Sequence, residues 1–200
     1  MSVNVQTAAR NALLDAINTA LGSGGSFTVF SGTKPALTTD ADAGNALVVC
    51  TASGSVFAAA SGGSMSKTGT IAGTVTGSGT QTAGYWRLKT SGGTVILQGT
   101  IGKQATAATS ASTAANANAL TFATSPTGFV AGMWVSGTGI PANTKLVSVG
   151  TTSVLDKTST AGVGSGVTIT AVYDLTIDND QLANGQAFAL TSATITAPNA

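Results

Sequence analysis

Two short motifs carry the spacing of a known chemistry. Ser64-Met65-Ser66-Lys67 sets a serine three residues before a lysine, and Lys67-Thr68-Gly69 overlaps it. In serine acyl-enzymes the corresponding signatures bring a hydroxyl nucleophile and two separate lysines together from a helix and a distant strand. Here one lysine would have to serve both, so the spacing is expected to be coincidental. Asp174, Asp178 and Asp180 recur at even spacing around Asn179. On a continuous strand their oxygens would share a face and suit Ca²⁺, but this is not an EF-hand spacing, and a solvated strand edge leading into a turn is expected. Gly137-Thr138-Gly139-Ile140-Pro141-Ala142 has the glycines of a nucleotide loop, yet Pro141 blocks the helix that must follow. The chain contains no histidine and no glutamate, so the usual general base near neutral pH and most metal-ligand sets are missing. The expectation is no catalytic residue, no metal and no cofactor.

Contact chemistry is better represented. In Met133-Trp134-Val135 the alternation of a strand turns Met133 and Val135 one way and Trp134 the other. An outward tryptophan can stack on a sugar or fill a partner's pocket, and it can equally pack on a neighbouring domain. Tyr85, Arg87 and Lys89 alternate with Trp86 and Leu88, so they form a second, weaker contact candidate on the outer face of their strand, where ordinary exposure is the alternative.

These residues must be positioned by strands. Gly84 to Thr90 and Thr94 to Ile101 read as a hairpin around Ser91-Gly92-Gly93, with Trp86 and Leu88 toward a core and the opposite face wet or covered by a partner. Before it, Ser26 to Ser31, Leu47 to Ala52, Ser55 to Ala59 and Thr68 to Thr76 are short strands. A polar loop runs from Thr38 to Asn45, and Gly185 to Ala197 is read as a last strand. From Asn4 to Leu21 the spacing of Val5, Ala9, Leu13, Ile17 and Ala20 or Leu21 predicts a helix with that face inward. Its other side carries only Arg10 and Asp15, so part of the helix is expected to close the β domain or to face another subunit. After Lys103 the amphipathic pattern lapses and returns at Tyr173, which predicts a discontinuous host domain, 1–103 and 173–200, interrupted by a β module at 104–172. Within the module, short strands fall near Leu120, Trp134, Leu146, Val154 and Ile169. The expected fold is mainly β: an antiparallel β-sandwich or barrel-like host with an N-terminal helix and a small inserted all-β module.

Composition narrows the function. Only 8% of residues are charged and the net charge is +1, against about a quarter charged in a typical soluble chain. A surface so poor in charge does not repel its neighbours, which suits a chain that lives inside an assembly and is a homo-oligomer. The near-neutral balance argues against nucleic acid, no run approaches a membrane span, and the N-terminus lacks the pattern of a secretory signal. Cys50, the single cysteine, is expected to be a small buried hydrophobe.

Ser26-Phe27-Thr28-Val29-Phe30-Ser31-Gly32-Thr33-Lys34-Pro35-Ala36, Gly84-Tyr85-Trp86-Arg87-Leu88-Lys89 and Asp174-Leu175-Thr176-Ile177-Asp178-Asn179 with Gly185-Gln186 resemble a group of small structural proteins of tailed bacteriophages. Residues 120–170, with Gly132-Met133-Trp134-Val135-Ser136-Gly137-Thr138-Gly139-Ile140-Pro141-Ala142, are similar to a β module inserted or repeated in phage virion and bacterial surface proteins. The resemblance implies a virion protein assembled in the bacterial cytoplasm, a capsid decoration or cement protein before a tail or neck component. Its partners would be other copies of itself and the major capsid or other virion proteins. A receptor- or glycan-binding adhesin with Trp134 as the stacking ring is the alternative.

Overall fold

The computed structural model describes residues 5–159 and 161–197. It is mainly antiparallel β with one N-terminal helix, and it divides into two compact units, Met1–Gly99 with Gln181–Ala200, and Thr100–Asp180. In chain order the first unit holds α1 (Thr7–Leu21), β1 (Ser26–Ser31), β2 (Ala46–Thr51), β3 (Ser64–Ser66), β4 (Ala72–Thr74), β5 (Thr80–Lys89) and the start of β6 (Val95–Gly102). The second holds the end of β6, then β7 (Ala105–Ala108), β8 (Ala117–Thr121), β9 (Trp134–Ser136), β10 (Thr144–Ser148), β11 (Thr152–Ser159), β12 (Thr168–Val172) and β13 (Leu175–Thr176). The chain then returns to the first unit as β14 (Gln181–Ala183), β15 (Ala187–Ala189) and β16 (Thr194–Thr196). Among the described residues no helix is long and apolar enough to cross a membrane.

In the first unit β1 lies between β2 and β5, antiparallel to both, β6 follows on the far side of β5, and β14 pairs the start of β5. Register sets the faces: Val29 opposite Trp86 and Val48, and Phe27 opposite Leu88 and Cys50, make one side. That side meets the two-stranded ribbon β4–β15, with Phe27 stacked between Trp86 and Phe188 at 5.5 and 6.4 Å, while the ribbon β3–β16 lies against α1 through β3. This is sandwich-like packing, and Gly73 lets β4 approach closely, since a Cβ there would stand 3.0 Å from Val48 and 3.3 Å from the Cys50 sulfur. Cys50 is buried, and its desolvated thiol is pushed up to about 11. The expected last strand at 185–197 is two strands, β15 paired to β4 and β16 paired to β3. Residues 55–59 form only an isolated bridge, Phe57 to Lys67.

The helix is rotated relative to expectation, with Leu21 and the half-buried Ile17 of the expected face turned inward and Ala9, Leu13 and Ala20 turned out. Leu14 and Leu21 are its buried residues, whereas Leu13 is 55% exposed and Ala9 is exposed, and Val5, expected on the inward face, lies before the helix and is 40% exposed. Beside Leu14 and Leu21 its inward side carries polar residues that serve a loop. The Asn11 and Asp15 side chains accept from the Gly63 and Ala60 amides at 2.8 Å, Asn18 donates to the Phe57 carbonyl, and Arg10 donates to the Ala197 carbonyl. These bonds satisfy backbone groups of strandless chain, which would otherwise cost free energy if buried.

The second unit is a six-stranded half-barrel in the order β7-β12-β9-β10-β11-β8, wrapped around Leu120, Phe122, Phe129, Met133, Val135, Leu146, Leu155 and Ile169. Its bounds are wider than the expected 104–172. β13 runs parallel to the end of β6, pairing Leu175 with Ile101, and Asp174 binds Thr100 and Trp134. Those contacts tie 100–103 and 173–180 to the second unit and correct their assignment to the host.

Candidate functional site

Tyr85 and Arg87 are not on a wet face. They are 0% and 1% exposed, because the loop from Leu37 to Ala43 folds over the second side of the β1–β5 sheet. The Arg87 guanidinium donates from Nη1 to the Asp40 carbonyl and to Asp42 Oδ1, both at 2.8 Å, from Nη2 to the Leu37 carbonyl at 3.3 Å and from Nε to Gln98 Oε1 at 3.1 Å. The Tyr85 hydroxyl donates to the Ala43 carbonyl and accepts from the Ala43 amide, and its ring stacks on Phe30 at 4.9 Å. Lys89 Nζ completes the latch on Asp42 Oδ2 at 2.6 Å. Partial burial pulls the Asp42 carboxyl up, but the bonds from Lys89 and Arg87 outweigh it and hold the group below its ordinary value. A cavity of about 380 Å³ opens beside the latch, bordered by Thr38 to Asp42, Lys89 and Thr94. The charges around it are already matched, so it offers neither a free anion nor a free cation site. As partner contacts, Tyr85 and Arg87 are therefore corrected to interior fasteners.

Trp134 stands as alternation requires, with Met133 and Val135 buried at 1% and 5% and the indole half-buried on the opposite face. Cross-strand pairing places Val172, Trp134 and Lys145 in one row. Lys145 Nζ lies 4.0 Å from the indole centroid, a cation–π contact, and its backbone amide is held by Asp156 at 2.7 Å. The indole Nε1 donates to Asp174 Oδ1 at 2.8 Å, while Asp174 Oδ2 accepts from the Thr100 amide and hydroxyl at 2.9 Å. Desolvation raises the Asp174 carboxyl, and the Thr100 and Trp134 bonds with the Lys145 charge outweigh it and hold the group below its usual value. The result is a rigid aromatic plate with its N–H spoken for and one face under an ammonium. It can make apolar and cation–π contacts to a partner.

The other motifs disperse. Ser64 and Ser66 lie on β3, and their hydroxyls meet Thr196 at 3.0 Å and Thr194 at 3.4 Å rather than Lys67. β13 is only two residues long, so the alternation that would align the three aspartates stops. Asp174 turns to Trp134, while Asp180 lies near Tyr173, whose hydroxyl is raised first by burial and then by that negative charge. Among the described residues no three His, Cys or Asp side chains gather to hold a metal. Gly139 and Asn143 simply adopt positive φ in the turns before β10.

Sequence reasoning missed Asp42 and weighed Asp174 only as a cation ligand, although both constellations turn on these two carboxylates. A signal existed for the first, since Asp40 and Asp42 repeat the two-residue spacing of Arg87 and Lys89 in a chain with few charges. None pointed to the actual role of the second, because its partners Thr100, Trp134 and Lys145 come from three separate segments. Comparison with protein-family models, with curated proteins and with solved structures finds no match to this chain.

Proposed function

We propose that this chain is a structural protein of a tailed-bacteriophage virion, with capsid decoration as its role and a tail or neck position as the alternative placement. The observation that supports it is where the few charges go. Arg10, Asp15, Asp42, Arg87, Lys89, Asp156 and Asp174 all make intramolecular contacts, while Leu13, Leu37, Val49, Val130 and Val147 are exposed. A particle subunit surrounded by neighbours tolerates such a surface, whereas a free protein at high concentration would self-associate. The resemblance of the β1, β5 and β13 segments to phage structural proteins supplies the setting. Mass spectrometry of purified virions is expected to find the chain in many copies per particle. Its confinement to the infected-cell lysate would refute the proposal.

One observation favours a glycan-binding reading, the half-buried Trp134 ring flanked by polar groups of Lys145 and Asp174. A glycan array probed with the whole protein and with Trp134→Ala tests it. No binding, or binding unchanged by the substitution, removes that reading.

A further inference from the structure

Asn184-Gly185 is the chain's single Asn-Gly pair, and it lies at the tip of the turn from β14 to β15. Glycine has no Cβ to shield its nitrogen, so after an asparagine that nitrogen can attack the side-chain carboxamide. The Asn184 side chain is exposed, and a Cβ on Gly185 would meet nothing within 4 Å, so no neighbour blocks the reaction. The backbone blocks it instead. The Gln186 amide donates to the Ala183 carbonyl at 3.0 Å, Gly185 takes a φ of +83° and Asn184 keeps a negative φ. That is a type II turn, in which ψ of the first central residue is about +120°. There the Gly185 nitrogen is turned away from Asn184 Cβ, whereas closing a five-membered ring needs the two nearly eclipsed about the Cα–C bond. Two more bonds lock the turn to the connection between β4 and β5. The Asn184 amide donates to the Gly79 carbonyl at 3.0 Å, and the Gly185 amide, the attacking group itself, donates to the Val75 carbonyl at 2.9 Å.

We propose that Asn184 is a modification site gated by this turn: the folded chain keeps its asparagine, and opening of the turn lets it convert to aspartate and isoaspartate. In the open turn the Gly185 nitrogen bonds to Asn184 Cγ. The bond from Cγ to the side-chain nitrogen breaks, that nitrogen leaves as ammonia with the proton from Gly185, and a cyclic imide remains. Water then adds to one imide carbonyl and breaks its bond to nitrogen. Cleavage at Cγ gives aspartate, and cleavage at the main-chain carbonyl gives isoaspartate, whose main chain runs through Cβ. No oxidant, reductant or cofactor takes part. Isoaspartate lengthens the main chain by one carbon between the two amides that the Gly79 and Val75 carbonyls hold, so the same pair of bonds cannot re-form. The change is therefore a one-way record that the β14–β15 turn of the first unit has opened. Either product also adds a negative charge to a chain whose net charge is +1. The inference is independent of the virion reading.

The test holds the full chain at pH 8 in buffer and in unfolding urea and follows residue 184 by peptide mapping with mass spectrometry. Three hydrogen bonds must open, each worth roughly a factor of five, so conversion is expected to be slower in the folded chain by on the order of a hundredfold. Hydrogen exchange of the Gly185 amide reads the same gate and is expected to be slowed to a comparable degree. Leu182→Ala, which removes a 2% exposed anchor of β14, is expected to speed both processes in buffer. Four results would overturn the proposal: conversion in buffer as fast as in urea, no conversion in urea, a Gly185 amide that exchanges freely in the folded chain, or a folded Leu182→Ala variant with both rates unchanged. If Leu182→Ala fails to fold, the wild-type rates in buffer and urea and the exchange of Gly185 decide.

Discussion

Replacing Arg87 with methionine keeps most of the side chain's length and removes every donor. Three acceptors then lose their partner: the Asp40 and Leu37 carbonyls and Gln98 Oε1. At about 1 kcal/mol for each orphaned acceptor, partly offset because a guanidinium no longer has to be desolvated, the expected cost is about 2–3 kcal/mol. Asp42 adds little to that sum, since its side chain is 38% exposed and Lys89 still holds it at 2.6 Å. The reciprocal change, Asp42→Asn, leaves the charge of a side chain only 1% exposed facing neutral acceptors, and losing the charge-assisted bond costs about 2 kcal/mol. The double variant should show a coupling of about 1–2 kcal/mol. The protein has two tryptophans, Trp86 on β5 and Trp134 on β9, so urea unfolding in a Trp134→Phe background reads the first unit alone. The carboxyl of Asp42 is depressed, so its contribution is complete above its unfolded value near 3.8 and is lost as pH falls through the lower folded value. The gap between wild type and Asp42→Asn should therefore close below about pH 4. A cost under about 0.5 kcal/mol for Arg87→Met, or additive single variants, would show that the latch does not hold the loop.

Asp174→Asn should destabilise the second unit by about 1 kcal/mol, a figure kept low by the carboxylate's exposure. Trp134 emission in a Trp86→Phe background during urea unfolding would measure it, and an unchanged midpoint would count against the Asp174 contacts. The wild-type contribution should again vanish as pH falls below the ordinary carboxylate value of 3.8. Cys50 should resist a thiol reagent at pH 8 in the folded protein and react at once in denaturant, because it is 2% exposed and its thiol is pushed up to about 11; rapid labelling of the native chain would contradict that burial. Excising 100–180 and bridging Gly99 to Gln181 with a flexible linker should leave a first unit that unfolds cooperatively, as judged by circular dichroism. An excision that yields an unfolded chain would show that the two units share one core.

Strand positions were legible where alternation was regular and bounded by glycine. β1, β2 and the β5–β6 hairpin lie where Ser26 to Ser31, Leu47 to Ala52 and the turn at Gly93 placed them, because period-two patterning and a positive-φ glycine are local signals. In the second unit the opposite orientations of Met133 and Trp134 were readable for the same reason. The pairing of β15 with β4 and of β16 with β3 was not, since each match joins segments more than a hundred residues apart through strands of three residues. The true edges of the middle unit were also hidden. Thr100 and Asp174 meet through three hydrogen bonds, two of them to the carboxylate, and no periodicity records such a contact.

The two misreadings of exposure, on α1 and on the Tyr85–Arg87 face of β5, have one cause. Reading amphipathicity assumes that polar side chains face water, which holds when polar residues are plentiful enough to cover a surface. Here charged residues are 8% of the chain, and the polar groups on α1 and β5 are spent satisfying irregular backbone: Asn11 and Asp15 for Gly63 and Ala60, Arg87 and Tyr85 for the loop of Leu37 to Ala43. Such loops contain few hydrogen bonds of their own, and a buried carbonyl or amide without a partner is expensive, so scarce polar side chains are worth most inside. Leu13, on the opposite side of α1, is left outside.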